Sequence, residues 1–264
     1  MEKQETLKEN IVLEVAPECA DTEAAQRLLE HFGMGVDPVE GELTLRLDGE
    51  GLSLISEGQT LRGDFTRMLP RLKAGKLQGE LLVRTAKIKG ADGPLRAVDA
   101  TAGLGEDSLL LAAAGFQVIL YERNPVVYEL LRDALERAAA IPELAEITAR
   151  MDVRNGDSIE AMARPEFIPD VILLDPMFPE RQKSALVKKK LQMIQKLEQP
   201  CDDEITLLLT AMEAKPKKLI VKRPPKGDYL AGLKPDHSIE GKAVRFDCFA
   251  SPYDRLEKFK EKLK

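Results

Sequence analysis

The spacing of hydrophobic and polar positions changes character near residue 95. Before that point, DTEAAQRLLEHF (21–32) has the periodicity of an amphipathic helix, and ELTLRLDGEGLSLIS (42–56) alternates as a hairpin that turns near Asp48–Gly51 would. Glycine and proline separate these two segments. The pattern predicts a small α+β domain over residues 1–60 and a basic, partly helical connecting segment over 61–92.

Beyond residue 92, short apolar runs alternate with helical stretches. Repeated strand–helix units predict an α/β fold with a doubly wound, mostly parallel sheet. Strands are expected at LRAVDA (95–100), QVILYE (117–122), ARMDV (149–153), DVILLD (170–175) and KKLIVKR (217–223), and helices from near Gly105, from Pro125 to about Ala140, from about Asp157 and across 180–214.

The last part of the chain predicts a different pairing. HSIEGKAVRFDCFA (237–250) has the alternation of an antiparallel hairpin, with Gly241 in its turn. The hairpin closes a domain that we expect to span residues 93–250, and the charged tail 251–264 is expected to form a surface helix.

Composition narrows the class of protein. A chain of 264 residues, 44% of them hydrophobic, can bury a substantial core. Its apolar runs fall short of the roughly 18 residues needed to span a bilayer, and the charged N-terminus predicts no signal peptide. Three scattered cysteines and two histidines have no metal-ligand spacing, so we expect no metal and a reducing, cytoplasmic location.

Charge is segregated along the chain. The formal net charge is −6, yet residues 60–90 carry eight Lys or Arg against two acids. Residues 181–196 and 215–226 carry six Lys or Arg each and no acid. Each segment is either a solvated helix face or part of a basic surface, and three such segments around one site would favour binding of nucleic-acid phosphates.

Polar residues follow all five predicted parallel strands. In open sheets of this kind, ligands bind outside the carboxyl ends of the strands. The residues delivered to that edge are DATAGLGED (99–107), Glu122–Arg123, Asn155–Ser158, Asp175 and Lys222–Arg223. Five strands that each bring charge to one edge predict a ligand site there.

The glycine turn after the first parallel strand indicates a cofactor. Gly103 and Gly105 let the backbone approach a ligand closely, although the pattern departs from GxGxxG. Glu122 is placed to accept hydrogen bonds from ribose hydroxyls. Glu106 and Asp107 disfavour a pyrophosphate and suit a nucleoside with a positive centre, which favours S-adenosylmethionine over NAD; alternatively, they interact only with the helix dipole.

Two further acceptors follow the third parallel strand. Asp157 and Ser158 could read the adenine edge, with the carboxylate accepting from the exocyclic amine. The alternative for Asp157 is that it only caps the next helix.

The segment after the fourth parallel strand predicts chemistry on an amino group. An aryl amine is a poor nucleophile because its lone pair is delocalised into the ring. Asp175 and the Pro176 carbonyl can accept from the NH₂ group and aim the lone pair at a methyl donor, while Phe178 can stack on a flipped base. The alternative is that Asp175 caps a helix and Phe178 belongs to the core.

Four motifs in order connect these residues to a known family. VDATAGLGED (98–107), YERNPVV (121–127), LLDPMFPERQKSALVKKK (173–190) and IVKRP (220–224) resemble the ribosomal RNA small subunit methyltransferase J family, the bacterial 16S rRNA guanine-N2 methyltransferases. IKG (88–90) and GKAVRFDCFA (241–250) are also similar, so the resemblance spans about residues 85–250.

The resemblance implies a Rossmann-like class I methyltransferase that uses S-adenosylmethionine and acts on small-subunit rRNA, free or in a particle. The family commonly has Arg where Glu106 stands and Ser where Asp157 stands. The predicted cofactor residues are Asp99, Gly103, Gly105, Glu106, Asp107, Glu122, Arg123, Asp157, Ser158 and Asp175; the catalytic ones are Asp175, Pro176 and Phe178; and the RNA-binding ones are Arg181, Lys183, Lys188, Lys189, Lys222 and Arg223.

Three other functions fit parts of the pattern. Amino methylation of DNA or of another RNA would use the same Asp-Pro-x-Phe logic. A nicotinamide-dependent oxidoreductase would fit the sheet, but GxGxxG and an obvious catalytic His or Tyr are missing. A non-catalytic RNA-binding protein with a degenerate fold would have no need of Asp175.

Overall fold

The computed structural model describes residues 11–32, 43–90, 93–176 and 204–263. The described strands form a four-stranded sheet, in the order β1-β2-β3-β4, and a seven-stranded sheet, in the order β10-β11-β9-β8-β5-β6-β7. Their bounds are β1 Ile11–Val15, β2 Leu43–Asp48, β3 Gly51–Ser56, β4 Gln59–Leu61, β5 Arg96–Asp99, β6 Gln117–Glu122, β7 Met151–Asn155, β8 Val171–Leu174, β9 Lys218–Arg223, β10 His237–Glu240 and β11 Arg245–Ala250.

Ten α-helices accompany these strands in the described residues. They are α1 Glu23–Phe32, α2 Leu69–Leu72, α3 Ala74–Leu77, α4 Leu81–Ala86, α5 Glu106–Ala113, α6 Pro125–Ala139, α7 Pro142–Thr148, α8 Ser158–Ala163, α9 Glu204–Glu213 and α10 Leu256–Lys262. No helix in this part of the chain is both long and apolar enough to cross a membrane.

The small sheet contains the hairpin that the alternating pattern predicts. β2 and β3 pair antiparallel with Asp48 opposite Gly51, which confirms the predicted turn. β1 adds to β2 in parallel and β4 adds to β3; the sequence pattern predicted neither strand. The buried face of this sheet packs on Val126, Val127 and Leu130 of α6. The N-terminal sheet therefore shares a core with the rest of the protein.

The basic connecting segment forms short helices with a buried apolar side. Phe65 and Met68 lie in a 3₁₀ turn and Leu82 in α4, and all three pack in one core with α5. Lys73, Lys76 and Arg84 remain exposed. The segment is thus attached to α5 by its apolar residues and presents cations to solvent.

The large sheet is doubly wound, as predicted. β5 to β9 are mutually parallel, and the chain leaves β5 towards β7 before it returns to β8 on the other side of β5. β11 lies antiparallel between β9 and β10, which confirms the closing hairpin. The switch in strand order between β5 and β8 opens a crevice at their carboxyl ends.

Both faces of the large sheet are buried. Val171 and Leu173 of β8 pack with α5, α6 and α7, whereas Ile172 and Leu174 pack with α8, α9 and α10. Alternating side chains therefore enter two hydrophobic cores, which explains why the parallel strands read as continuous apolar runs.

The C-terminal tail forms the predicted helix, but one face of this helix is buried. Leu256 and Phe259 of α10 are only 3% and 4% exposed and pack in the core beside α9. Their spacing of three residues places both on one face of an otherwise charged helix. The tail is part of the fold because it covers one side of the large sheet.

Replacing Phe259 by Ala should lower the free energy of unfolding by about 3–5 kcal/mol, since it removes a buried aromatic side chain. Chemical denaturation followed by circular dichroism measures this loss. Lys258→Ala, at the neighbouring exposed position, should stay within about 0.5 kcal/mol of the wild type. Equal effects of the two substitutions would contradict the buried placement of α10.

Candidate active site

A cavity of about 360 Å³ opens at the carboxyl ends of the parallel strands. It lies at the switch in strand order, and the turn between β5 and α5 forms much of its wall. Its lining includes all ten residues predicted to bind the cofactor, namely Asp99, Gly103, Gly105, Glu106, Asp107, Glu122, Arg123, Asp157, Ser158 and Asp175, together with Pro176 and Lys222.

The two glycines of the turn have different constraints. Gly105 has φ +78°, a backbone conformation that favours glycine, and a Cβ added to it would lie 2.6 Å from Leu131 Cδ1. Gly103 has φ +54°, but an added Cβ would meet no protein atom within 4 Å among the described residues. The backbone at Gly103 thus borders open space in the cavity, as a close approach to a ligand requires.

Asp99 lies beneath the turn and is buried. Its Oδ2 accepts a hydrogen bond from Ser108 Oγ at 2.6 Å, and its Oδ1 accepts from the Thr101 backbone N–H at 3.1 Å. Burial raises the pKa of Asp99 to about 7 despite these bonds, and the nearby carboxylates Asp107 and Asp175 add to the rise. Asp99 therefore stabilises the turn mainly through hydrogen bonds.

Glu122 ends β6 and joins the glycine turn to the start of α6. Its Oε2 accepts from the Gly103 N–H at 3.0 Å, and its Oε1 accepts from the Asn124 N–H at 2.8 Å. The side chain is 4% exposed. These bonds fix a carboxylate at the cavity wall, where the sequence predicted an acceptor for ribose hydroxyls.

Asp157 makes the cap that was its alternative prediction. Its Oδ1 accepts from the Ile159 N–H at 2.7 Å at the start of α8. Asp157 also lines the cavity, and Ser158 beside it is buried. The capping role is therefore confirmed, and a contact with adenine stays a prediction.

Asp175 follows β8 and is held through both its backbone and its side chain. Its N–H donates to Thr101 Oγ1 at 2.6 Å, and its Oδ2 lies 2.9 Å from Lys222 Nζ. Burial raises the pKa of Asp175, and the charge of Lys222 opposes the rise. The carboxylate nevertheless keeps 39% of its side-chain surface accessible, so it can meet a ligand in the cavity.

Lys222 and Arg223 lie on opposite faces of β9. Lys222 points into the cavity, where its Nζ lies 2.6 Å from Asp107 Oδ2. Arg223 is 6% exposed, and its Nε donates to the Asp228 carbonyl at 2.7 Å. Little of the Arg223 side chain is therefore accessible to a phosphate, and its predicted contact with RNA stays a prediction.

Some predicted residues cannot be compared with the structure. Phe178, Arg181, Lys183, Lys188 and Lys189 lie outside the described residues. Among those described, no group of three or more His, Cys, Asp or Glu side chains is arranged to hold a metal ion.

Sequence reasoning missed two features of the site. Thr101 holds the backbone of Asp175, although it lies inside the DATAGLGED motif. Lys222 reaches two carboxylates from other elements, a pairing that only the tertiary structure reveals. Tyr121, Ile159 and Leu207 also line the cavity and give it apolar surface.

The sheet topology and the acidic cavity at its switch point define a class I, Rossmann-like methyltransferase dependent on S-adenosylmethionine (SAM). A protein-family model described as "Putative SAM-dependent methyltransferase" matches residues 27–251. Relatives named ribosomal RNA small subunit methyltransferase J include one from Marinobacter nauticus, 40% identical over 215 residues, covering 78% of this chain and 77% of the relative. Another, from Pseudomonas aeruginosa, is 37% identical over 243 residues, covering 89% and 92%.

A solved structure supports the same assignment. The crystal structure of a SAM-dependent methyltransferase from Neisseria gonorrhoeae matches with a TM-score of 0.72 and 31% identity, covering 91% of this chain and 96% of that one. The chain belongs to the ribosomal RNA small subunit methyltransferase J family. The predicted fold class, family and cofactor, S-adenosylmethionine, are confirmed.

Asp99→Asn should remove a pH-dependent loss of stability. Because the pKa of Asp99 rises from 3.8 to about 7 on folding, the folded protein keeps a proton that the unfolded chain releases within that window. The wild type should therefore lose stability relative to the variant as the pH rises from about 4 to 7, by roughly 2–4 kcal/mol. Asn can still accept from Thr101 and can donate to Ser108.

Urea denaturation of both proteins between pH 4.5 and 8 measures this difference. Asp254→Asn, at an exposed position, controls for a general effect of removing an acid. A difference between Asp99→Asn and the wild type that does not change with pH would contradict the elevated pKa of Asp99.

Proposed function

We propose that this protein transfers a methyl group from S-adenosylmethionine to the exocyclic N2 amino group of a guanine in small-subunit (16S) rRNA. The observation that carries the proposal is the Asp175 carboxylate, which follows β8 and borders the same cavity as the glycine turn. The names of the relatives support rRNA as the substrate.

The residues present fit the cofactor. Glu122 would hold the ribose, and the open side of Gly103 leaves space for close approach of the ligand. Ser158, Ile159 and Leu207 would surround the adenine. When bound, S-adenosylmethionine supplies a methyl group on a sulfonium, whose C–S bond breaks towards neutral sulfur as the new C–N bond forms. An acidic cavity suits that positive centre better than it suits a pyrophosphate.

Asp175 would hold the amino group that is methylated. An ionised carboxylate is an acceptor only, so it can take a hydrogen bond from N2–H and orient the nitrogen lone pair. The N2 proton released during methylation can pass to this carboxylate or to water. Pro176 lines the cavity beside Asp175, and we propose that its carbonyl is the second acceptor. Phe178 is proposed to stack on the base.

The hydrogen-bonding chemistry of Asp175 also favours guanine over other bases. Guanine presents the adjacent donors N1–H and N2–H, and both can bind one carboxylate. Adenine and cytosine place a ring-nitrogen acceptor next to the amino group, which would face a negative oxygen. Amino methylation of DNA or another RNA stays an alternative. A hydrogen bond from the base to Asp175 does not distinguish those polymers from rRNA.

Incubation with labelled S-adenosylmethionine and small-subunit rRNA from a strain that lacks the activity tests the proposal. Nucleoside mass spectrometry should detect N2-methylguanosine. Asp175→Asn should lower kcat by about 100-fold or more, because it removes the negative charge and replaces one of the two acceptor oxygens with a donor NH₂ group. Asp254→Asn, at an exposed position on the tail, should leave kcat unchanged. Label found only in protein, DNA or a small molecule would refute the substrate class.

The exposed cations of the connecting segment are proposed to bind the RNA backbone. Residues 65–86 pack against α5, and the first turn of α5 lines the cavity. The Glu80 carboxylate, and more weakly Asp107 and Glu106, raise the pKa of Arg71, so α2 lies within the field of the cavity acids. Lys73, Lys76 and Arg84 are exposed on this segment, and we propose that they form a basic face near the site.

Neutralising this basic face should weaken RNA binding without affecting the cofactor. In the triple variant Lys73→Gln/Lys76→Gln/Arg84→Gln, the slope of log K against log salt should fall by about 0.7 per lost phosphate contact. Fluorescence anisotropy at several salt concentrations measures the slope. The matched control is Arg164→Gln/Lys258→Gln/Lys262→Gln, which removes three exposed cations elsewhere. Equal loss of affinity in both variants would contradict a localised RNA face.

A further inference from the structure

Lys222 is enclosed by two carboxylates at the base of the cavity. Its Nζ lies 2.6 Å from Asp107 Oδ2 and 2.9 Å from Asp175 Oδ2. Leu174 pairs with Val221 in the sheet, so the next residues, Asp175 and Lys222, leave neighbouring strands side by side. The Lys222 side chain is 25% exposed. The sheet register therefore places this cation beside the proposed catalytic acid.

We propose that Lys222 is a positioning residue, which holds the Asp175 carboxylate in the orientation and charge state needed to accept from the substrate amino group. This inference rests on the proposed function, because it assigns Asp175 the role of acceptor. It also gives Lys222 a role different from the RNA-phosphate contact predicted from the sequence.

The charges around Asp175 explain why such a residue is needed. Lys222 faces it from β9, Asp107 from α5 and Asp99 from β5, while Arg223 acts from the far side of β9. Burial raises the pKa of Asp175, and Lys222 is the strongest influence in the opposite direction. Without Lys222, Asp175 would face Asp107 with no intervening cation, and its pKa would rise further. A protonated Asp175 would donate to the amino group instead of accepting from it.

Lys222 itself stays protonated. Burial opposes its charge, but Asp107 and Asp175 outweigh burial and raise the pKa of Lys222 above its usual value. A lysine of this kind cannot serve as a general base. A phosphate would also have to compete with two carboxylates that are already within hydrogen-bonding distance.

Thr101 also contacts Asp175 but is uncharged, so it can be compared with Lys222. Its Oγ1 accepts the Asp175 N–H at 2.6 Å, so it positions the backbone of the same residue. Thr101→Val removes the acceptor and keeps the shape of the side chain. It should disturb the geometry of Asp175 and leave its ionisation close to that of the wild type.

The pH dependence of kcat/KM separates these roles. In Lys222→Met, the midpoint of the acid limb should move up by about one pH unit or more. Lys222→Arg keeps the charge, so its midpoint should lie within about 0.3 pH units of the wild-type midpoint. That difference is a small fraction of the shift expected when the charge is lost. Thr101→Val should lower the plateau and leave the midpoint in place. Lys222 also pairs with Asp107, so its substitution could change the affinity for the cofactor. Calorimetry of S-adenosylhomocysteine binding to each variant measures that affinity separately.

A second experiment needs no substrate. The carboxyl ¹³C resonance of Asp175, assigned by its loss in Asp175→Asn, reports the ionisation of this residue directly. Its titration midpoint should rise by about one unit or more in Lys222→Met. If Lys222→Met does not fold, Lys222→Gln, which keeps N–H donors without the charge, should give a shift in the same direction.

The outcomes distinguish failure of this inference from failure of the proposed function. An unmoved ¹³C midpoint, together with weaker RNA binding and a smaller salt slope, would overturn the inference and make Lys222 a phosphate contact. A raised midpoint in a protein that forms no N2-methylguanosine would support the control of Asp175 by Lys222 and refute the proposed function alone.

Discussion

Four buried or half-buried carboxyl groups border one cavity, and the surrounding structure compensates each of them differently. Asp99 is partly protonated near neutral pH because its pKa is raised to about 7. Glu122 accepts hydrogen bonds from backbone N–H groups. Asp107 and Asp175 share Lys222. Because uncompensated charge in such a place is costly, these bonds constrain the ends of β5, β6, β8 and β9 together. The site and the carboxyl edge of the sheet therefore depend on the same contacts.

The N-terminal sheet and the connecting segment, which are additions to the class I fold, pack on the two helices that begin at this edge. The N-terminal sheet packs on α6, which begins at Pro125, three residues after Glu122, and has Asn124 as its N-cap. The connecting segment packs on α5, whose first turn carries Glu106 and Asp107. Elements fixed to these two helices have a defined position relative to the cavity. A basic surface built on them therefore has a fixed position relative to the cavity.

The pattern of apolar and polar residues within each segment was sufficient to predict the parallel sheet. It did not predict elements whose partners lie far away in the sequence. β6 has the predicted bounds because its residues are buried on alternating faces between Gly115 and the acid Glu122. β1 was missed because its partner, β2, lies some thirty residues further on and the pairing is parallel. The buried face of α10 was missed because two apolar residues among charges are also typical of a surface helix.

The site was predictable to the extent that strand ends carry it, since every predicted cofactor residue lies at the cavity. What a sequence cannot reveal is which partner each charge has. Lys222 and Arg223 are adjacent and both basic, yet the two-residue period of β9 sends one to the acids of the cavity and the other into the protein interior. The two cations at the end of β9 therefore have different surroundings, although they are adjacent in the sequence. The cations of the connecting segment, which we propose to contact RNA phosphates, are exposed instead.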